Sequence, residues 1–338
     1  MVQTIKFSNA STNFHFNSSL KELGKIIDKK HTVFITDQNI IKAHESKFKG
    51  FNTIVIPAGE AHKKQSTVDE IILKLIENKA DRKTVLVGVG GGVITDLTGY
   101  VASVYMRGIS FGFVPTTILG LVDASIGGKN GIDVGLYKNM VGIIRQPSFI
   151  LHDLSLLQSL PQKEWQNGFA EIIKHACIKD AAMFKQLEQH SLEDYIKDKK
   201  LLADLIQRNA LIKTRVVQKD EFEKGERRLL NFGHTIGHAI ETQYNLMHGE
   251  AVAIGMVCAS RISEQLLGFS GKEKIRLLIE QYQLPVTVAF DAEKVFEVLA
   301  MDKKRVHKEM NFVLLEKIGK GVVHAIPLKQ LEKIINKL

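Results

Sequence analysis

Residues 84–96 read TVLVGVGGGVITD, which gives the clearest indication of fold class in the chain. The first six residues form an apolar run of the length of a buried strand, and Gly90, Gly91 and Gly92 follow directly. Glycines between a strand and a helix let backbone amides approach a phosphate group at the positive end of that helix. The stretch departs from the fingerprint G-x-G-x-x-G because position 93 is Val, and a tight strand–helix turn without a ligand is the alternative.

Strands and helices alternate on both sides of this glycine turn, although residues 1–30 show no recognisable pattern. Buried-type strands are predicted at residues 31–37, 52–57, 84–89, 111–117 and 148–153. Helices are predicted at residues 38–48 and 67–80, where apolar side chains recur at helical spacing. Strands separated by such helices indicate a parallel sheet with helices on both faces.

The pattern turns helical from about residue 156 onward. Helical periodicity is found in segments 163–178, 181–189, 201–218, 229–243, 250–267, 272–283, 291–300 and 328–337. Residues 311–315 and 322–326 indicate one small β-hairpin. We therefore predict an α/β fold with a Rossmann-like parallel-sheet domain at residues 1–156, followed by a mainly α-helical domain at residues 157–338.

The composition is that of an ordinary globular protein, with 44% hydrophobic and 25% charged residues. No apolar run is long enough to cross a bilayer and the first residues lack a signal core, so we expect a cytoplasmic protein without membrane association. Cys177 and Cys258 lie in apolar helical segments and are predicted to be core thiols. The net charge of +9 permits nucleic acid as a partner, but the basic residues are dispersed, and a small anionic substrate explains the charge equally well.

Three of the twelve histidines occur within residues 229–256, LLNFGHTIGHAIETQYNLMHGEAVAIGM. His234 and His238 are four residues apart on one face of a predicted helix, and Glu241 is assigned to the polar side of that helix. His248 precedes Gly249 at the predicted start of a second helix. Two imidazoles from separate helices, with a carboxylate upstream, predict a metal site, although a single histidine is more often an ordinary core or surface residue.

Further polar residues cluster in three segments. Residues 122–139 are predicted to form a long functional loop, and an exposed surface loop without a function is the alternative. The residues of this loop that could serve a site are Asp123, Lys129, Lys138 and Asn139. Glu171 and Lys174 share one helix face and could reach one pocket, or could form a surface ion pair. The third segment leads into the histidines and contains Lys213, Glu223, Arg227 and Asn231.

Ordered sequence blocks run from about residue 33 to 317, nearly the whole chain. They are PAGEAHK, GVGGGVITDLTGYVASVYMRG, VPTT, VDASIGGK, YKNMVG, NGFAEIIKHA, RLLNFGHTIGHAIE, HGEAVAIGM and MDKK. In this order they resemble the 3-dehydroquinate synthases of the sugar phosphate cyclase family. The resemblance implies a lyase of the shikimate pathway, which leads to chorismate and the aromatic amino acids. This lyase would convert 3-deoxy-D-arabino-heptulosonate 7-phosphate into 3-dehydroquinate and phosphate by NAD-mediated oxidation, phosphate elimination, reduction, ring opening and intramolecular aldol closure.

The resemblance also implies which residues would form the site. Zinc or cobalt would bind Glu171, His234 and His248 in the helical domain. NAD would bind to the first domain through Asp37, Asn39, Glu60, Lys63, Gly91, Gly92, Val93, Ile94, Thr95, Asp96, Thr116, Thr117, Lys129 and Lys138. The substrate and the reaction would be served by Lys174, Asp123, His238, Lys129, Asn139, Lys213, Arg227, Asn231, Arg107, Glu223, Lys303 and Lys304. One of the last two would meet phosphate, and Arg107 matches a position that reaches into a partner subunit, which implies a homodimer.

The chain departs from the family at one segment, and two other enzyme classes stay open. GGKNGIDVGLYKN stands where GGKTGVNHPLGKN is common, although Lys129, Lys138 and Asn139 keep their spacing. Related sugar phosphate cyclases act on substrates without a carboxylate, and NAD-dependent polyol dehydrogenases share the fold. A nucleic-acid-binding or scaffold protein is the remaining alternative and predicts strongly salt-dependent binding.

Overall fold

The computed structural model describes residues 2–135, 137–301 and 309–337, so that Lys303 and Lys304 lie outside the described residues. Contacts divide the chain into two compact units: Met1–Glu164 with Ala203–Phe222, and Trp165–Leu202 with Glu223–Leu338. The sequence predicted a single boundary between residues 156 and 157. In the structure the chain returns to the first unit at Ala203–Phe222, which that boundary does not allow for. The return occurs because Ala210 and Leu211 pack into the core beneath the sheet of the first unit.

The first unit is built around a seven-stranded sheet. The strands of the unit, seven of them in this sheet and β7 and β8 in a separate pair, are β1 (Val2–Lys6), β2 (Ser11–His15), β3 (Thr32–Asp37), β4 (Asn52–Ile56), β5 (Val85–Gly90), β6 (Ser110–Pro115), β7 (Lys129–Val134), β8 (Tyr137–Ile144) and β9 (Phe149–Leu151). The helices are α1 (Gln38–Phe48), α2 (Gln65–Glu77) and α3 (Gly92–Val104). The order in the main sheet is β1-β2-β9-β6-β5-β3-β4, and each pairing is parallel except that of β1 with β2. The predicted parallel sheet is confirmed.

Alternate residues of each strand bury opposite faces of this sheet. Ile35 and Leu86 belong to one core, which they share with apolar side chains of α2 and α3. Phe34 and Val87 belong to the core on the other face, which contains Phe48 of α1. Because side chains alternate along a strand, one continuous apolar run supplies both faces, as expected for a sheet covered by helices on both sides.

Two parts of the first unit differ from the prediction. The first strands, β1 and β2, form an antiparallel hairpin at the edge of the main sheet, where no strand was predicted. The segment expected to be a long loop instead contains most of a second antiparallel hairpin, in which β7 pairs with β8. This hairpin packs on α3 through Ile132, whereas every described residue of β8 is exposed, and such a strand has no apolar alternation to reveal it.

The second unit is mainly helical. Its elements are α4 (Gln162–Lys179), α5 (Ala181–Gln189), α6 (Leu192–Lys197), α7 (Lys199–Lys219), α8 (His234–Tyr244), α9 (His248–Leu267), α10 (Lys272–Gln281), α11 (Ala292–Met301), β10 (Glu309–Lys317), β11 (Lys320–Pro327) and α12 (Leu328–Ile335). Residues of α7 from Ala203 onward belong to the first unit. The strands β10 and β11 form the predicted hairpin. Within the described residues, no helix is both long enough and apolar enough to cross a membrane.

Helices α8 and α9 pack closely through glycine. A Cβ atom at Gly255 of α9 would collide with the carbonyl oxygen of Gly233, and one at Gly237 would collide with backbone atoms of Ala251. Ile236 and Ile240 of α8 complete the contact in a core shared with α9 and the hairpin. This close approach of the two backbones holds the helices side by side. The first residue of each helix is a histidine, His234 in α8 and His248 in α9.

Candidate functional site

A buried carboxylate and two imidazoles meet in the second unit. Glu171 lies in the middle of α4, His234 is the first residue of α8, and His248 is the first residue of α9. The Nε2 atoms of His234 and His248 lie 3.3 Å and 3.1 Å from the same oxygen, Oε1 of Glu171. The structure therefore brings together the three residues that were expected to bind metal.

Local backbone geometry sets the position of both histidines. Gly233 adopts the left-handed region with φ of 80° directly before α8, a conformation that glycine accepts without strain. At the start of α9, the amide of Gly249 donates a hydrogen bond to Oδ1 of Asn167 on α4. A Cβ atom at Gly249 would collide with the backbone of Asn167, so α9 approaches α4 closely where His248 begins the helix.

Charge is concentrated around Glu171. Its side chain is fully buried and forms an ion pair with the buried Lys174, one helical turn later on α4. Burial works to raise the pKa of Glu171, but Lys174, His234 and His248 hold it well below its usual range. Burial lowers the pKa of His234, whereas hydrogen bonds to Glu171 and Glu241 outweigh burial and raise the pKa of His248 to about 9. Glu171 is thus an ionised carboxylate facing two imidazoles.

The three donor atoms fit a divalent transition-metal ion. Zinc binds carboxylate oxygen and imidazole nitrogen at about 2.0–2.2 Å, so that neighbouring ligand atoms in a tetrahedral site lie roughly 3.3 Å apart. The two separations from Glu171, 3.3 Å and 3.1 Å, agree with that spacing. The exposed His238 has its ring centroid 5.2 Å from that of His234, and it also lies close to Glu241 and His248.

In the first unit, the glycine turn connects strand β5 to α3. Gly91 is the N-cap residue and Gly92 begins the helix. A Cβ atom at Gly90 would collide with Ile94, so this glycine allows α3 to pack closely on the strand. The turn contains or adjoins the expected nucleotide contacts Gly91, Gly92, Val93, Ile94, Thr95, Thr116 and Thr117. Asp37, expected to bind NAD, caps α1 by accepting hydrogen bonds from the backbone amides of Asn39 and Ile40.

The buried Lys63 contacts two other expected residues of the first unit. Nζ of Lys63 lies 2.5 Å from Asp96 and donates to Oδ1 of Asn139, also at 2.5 Å. Burial raises the pKa of Asp96 to about 6 despite the nearby Lys63, and carboxylates including Asp96 and Glu60 outweigh burial to raise the pKa of Lys63. Lys63, which was expected to bind NAD, therefore contacts Asn139, which was expected to bind substrate.

Another ion pair of the first unit joins α7 to a π-helical turn at Gly120–Ala124. Nζ of Lys213 lies 2.9 Å from the carboxylate of Asp123 and also donates a hydrogen bond to its backbone oxygen. Lys129 and Lys138 are exposed on the hairpin. Arg107 is exposed as well, in a turn where Met106 and Arg107 both have positive φ, of 49° and 64°.

The segment before His234 differs from the predicted helix over residues 229–243, because α8 begins only at His234. Arg227 and Asn231 lie on a 3-10 helix, Glu226–Asn231, which Phe232 and Gly233 separate from α8. Gly233, in the left-handed region, interrupts the helical backbone, so Arg227 and His234 do not lie on one continuous helix. Nδ2 of the Asn231 side chain donates to Oε1 of Glu223 at 2.7 Å. Arg227 is buried with 2% exposure, so it does not form a surface ion pair.

Two buried residues of this site were missed from the sequence. Asn167 precedes Glu171 by one helical turn, and that spacing was the available signal. Glu241 was assigned to the polar side of its helix, which is wrong, because it is 8% exposed and contacts His248. Its spacing of seven residues from His234, two helical turns, could have placed it on the histidine face.

Comparison with known proteins gives consistent matches over most of the chain. Residues 53–167 match the family model for the 3-dehydroquinate synthase N-terminal domain and residues 168–305 the one for its C-terminal domain. The 3-dehydroquinate synthase of Thermodesulfovibrio yellowstonii is 40% identical over 326 residues, covering 94% of this chain and 90% of that protein. The 3-dehydroquinate synthase of Neisseria meningitidis serogroup C, strain 053442, is 43% identical over 280 residues, covering 81% and 78%.

Solved structures with the same fold include related cyclases and dehydrogenases. A 2-deoxy-scyllo-inosose synthase, complexed with carbaglucose-6-phosphate, NAD+ and Co2+, has a TM-score of 0.87 at 25% identity, covering 100% of this chain and 99% of that one. The 2-epi-5-epi-valiolone synthase of Streptomyces hygroscopicus subsp. jinggangensis 5008, with NAD+ and Zn2+ bound, has the same TM-score of 0.87 and identity of 25%, covering 100% and 98%. A probable glycerol dehydrogenase from Sinorhizobium meliloti 1021 shares the fold at 15% identity with a TM-score of 0.67, covering 99% and 98%.

Proposed function

The chain belongs to the 3-dehydroquinate synthase family, and we propose that it converts 3-deoxy-D-arabino-heptulosonate 7-phosphate into 3-dehydroquinate and phosphate. The observation that carries this proposal is the group formed by the buried Glu171 with His234 and His248, in which Lys174 is paired to the carboxylate. Two imidazoles and one carboxylate leave a tetrahedral ion with a free position, as catalytic metal sites require. The reaction belongs to the lyases of the shikimate pathway.

Two cofactors are proposed from the groups that would hold them. Zn2+ or Co2+ would bind Glu171, His234 and His248, and when bound it would polarise a substrate hydroxyl as a Lewis acid. NAD would bind at the glycine turn, where the start of α3 faces a pyrophosphate, and would supply oxidation and the later reduction in one turnover. Two related cyclases carry such pairs, NAD+ with Co2+ and NAD+ with Zn2+.

The cations of the chain account for the two anionic groups of the substrate. Arg227 offers a planar pair of donors suited to a carboxylate, and its burial excludes water from that interaction. Lys213 is held in place by Asp123, and Lys129 and Arg107 add positive charge. The contribution of these residues is orientation and electrostatic stabilisation, since the elimination of phosphate and the aldol closure need mainly a correctly held substrate.

Lys174 has a distinct part in this proposal. Its ammonium group contacts the Glu171 carboxylate inside the protein, where an isolated charge would be strongly disfavoured. Lys174 therefore keeps Glu171 ionised, which a metal ligand must be. It does so from the same helix face, one turn away, so the carboxylate is oriented as well as charged.

We further propose that the chain acts as a cytoplasmic homodimer. The observation behind the dimer is the hairpin of β7 and β8, on which Tyr137 and Met140 are each 70% exposed, together with the exposed Met106 next to Arg107. Large exposed apolar side chains on one element favour association with a second copy. The two free, buried cysteines, Cys177 and Cys258, are consistent with a reducing compartment.

Turnover with catalytic amounts of NAD tests the proposed reaction. We expect phosphate release from the heptulosonate phosphate to continue for many turnovers per NAD, without net NADH, because the cofactor is oxidant and then reductant. NADH that accumulates in proportion to product would indicate the polyol dehydrogenase alternative. Equal turnover of sedoheptulose 7-phosphate, which lacks the carboxylate, would indicate a related cyclase.

A further inference from the structure

His248 directs its two ring nitrogens to two different carboxylates. Nε2 lies 3.1 Å from Oε1 of Glu171, and Nδ1 lies 3.4 Å from Oε2 of Glu241. A divalent cation held beside Glu171 would take the Nε2 lone pair, and the one proton of the neutral imidazole would then be on Nδ1, where the Glu241 carboxylate accepts it. We propose that Glu241 is a positioning residue that fixes the tautomer and ring orientation of His248 for a divalent cation. This inference rests on the proposed function, because it presupposes that cation.

The other ligand histidine is held in an equivalent way by the backbone. Nδ1 of His234 lies 3.2 Å from the carbonyl oxygen of Phe232, while its Nε2 lies 3.3 Å from Oε1 of Glu171. Both imidazoles thus present Nε2 to the same oxygen, and each has an oxygen acceptor at Nδ1. For His248 that acceptor belongs to a side chain, so a substitution can remove it.

Glu241 occupies a position suited to this task. It follows His234 by seven residues on α8, which places both side chains on the same face of the helix two turns apart. Its exposure of 8% means that the carboxylate has given up most of its hydration. Such a group needs strong hydrogen-bond donors in the protein, and the Nδ1–H group of His248 is one of them.

A different arrangement of the cation makes a contrasting prediction. His238, Glu241 and His248 also offer three ligand atoms close to one another, and in that set Glu241 would bind the cation directly. Burial favours the set with Glu171, which is fully buried, whereas His238 is exposed. The two arrangements differ in whether zinc binding depends on Glu171.

Zinc dissociation constants of the whole chain, measured by competition with a chromophoric chelator, test the inference. We expect one Zn2+ per wild-type chain and roughly 10- to 100-fold weaker binding by Glu241→Ala, the usual effect of losing a hydrogen-bond partner of a ligand histidine. Glu241→Gln keeps an oxygen acceptor of the same size and should recover most of the affinity. Glu264→Ala removes an exposed carboxylate from α9 and should bind zinc like the wild type.

A double-substitution cycle then shows whether Glu241 acts through His248. In a His248→Ala background, Glu241→Ala should cause no further loss of zinc affinity, whereas in a His234→Ala background it should cost the same factor as alone. Wild-type affinity in Glu241→Ala would overturn the inference and leave the proposed function intact. Absence of stoichiometric zinc from the wild type would overturn the metal site as well. Zinc binding that survives Glu171→Ala but not Glu241→Ala would overturn the inference in favour of the set with His238.

Discussion

Lys63 and Asp96 form an ion pair inside the first unit, with Nζ 2.5 Å from a carboxylate oxygen and only 6% of the lysine side chain exposed. Removal of one partner of such a pair leaves a charge that has lost its hydration. The pair lies beside the glycine turn, since Asp96 is in the first turns of α3. Its integrity therefore bears on the fold of the proposed NAD site.

We predict that Asp96→Asn lowers the free energy of unfolding by about 3 kcal/mol, the lower end of the cost of breaking a buried ion pair. Urea unfolding measures this change, and Asp69→Asn, an exposed carboxylate on α2, is the control. The double variant Lys63→Met, Asp96→Asn should regain most of the loss, because it leaves no uncompensated charge. Equal destabilisation in the single and double variants would contradict the argument.

The apolar periodicity was sufficient to predict most of the fold. Strand β3 illustrates why, because its buried run supplies both faces of the sheet and leaves few alternatives to a covered parallel strand. The hairpin of β7 and β8 was missed because β8 is exposed throughout and carries no such pattern. The edge hairpin of β1 and β2 was missed because its strands are short and only partly buried.

The group of Glu171, His234 and His248 was predictable in part, because the spacing of residues along the chain carries information about helix faces. Spacing within one helix predicts which side chains share a face, and it placed Lys174 beside Glu171 as the structure does. Spacing does not show where a helix begins or which face is buried. Periodicity therefore placed the start of the helix at residue 229, whereas α8 begins at His234, and it assigned Glu241 wrongly to the polar side.

The proposed dimer can be tested on the exposed hairpin. We predict that Tyr137→Asp and Met140→Asp shift the protein toward the monomer mass of 37.8 kDa in sedimentation velocity, because a buried carboxylate opposes association. Leu73→Asp on α2 replaces a side chain that is also exposed, at 59%, and should leave the mass unchanged. A wild type that sediments as a monomer at micromolar concentration would refute the dimer.

His152 makes the first unit sensitive to acid. Its ring packs against Phe14 and Phe16, its exposure is 1%, and neither ring nitrogen has a hydrogen-bond partner within the described part of the chain. Burial lowers the pKa of His152 from the ordinary 6.5 to about 3. Between these values the unfolded chain binds a proton that the folded chain does not, so stability falls as the pH falls below 6.5.

This single group should contribute about 1.4 kcal/mol of lost stability per pH unit over most of that range. Urea unfolding at several pH values between 7 and about 4.5 measures the slope, and His152→Phe should flatten it. Exposed His31, replaced in the same way, is the control for the loss of one histidine. An unchanged slope in His152→Phe would mean that other groups cause the acid sensitivity.

Arg227 offers the sharpest test of substrate class, because a planar arginine can form two parallel hydrogen bonds to a carboxylate and lysine cannot. Hydrogen bonds to charged groups are worth about 1.5–3 kcal/mol, so Arg227→Lys should lower kcat/KM for the carboxylated substrate roughly 10- to 100-fold. NAD affinity should change little, since the glycine turn belongs to the other unit. The neighbouring Arg228 lies on the same 3-10 helix and is less buried, so Arg228→Lys is the matched control. If Arg227→Lys keeps kcat/KM near that of the wild type, the carboxylate is held elsewhere, and the cyclases whose substrates lack it become the better alternative.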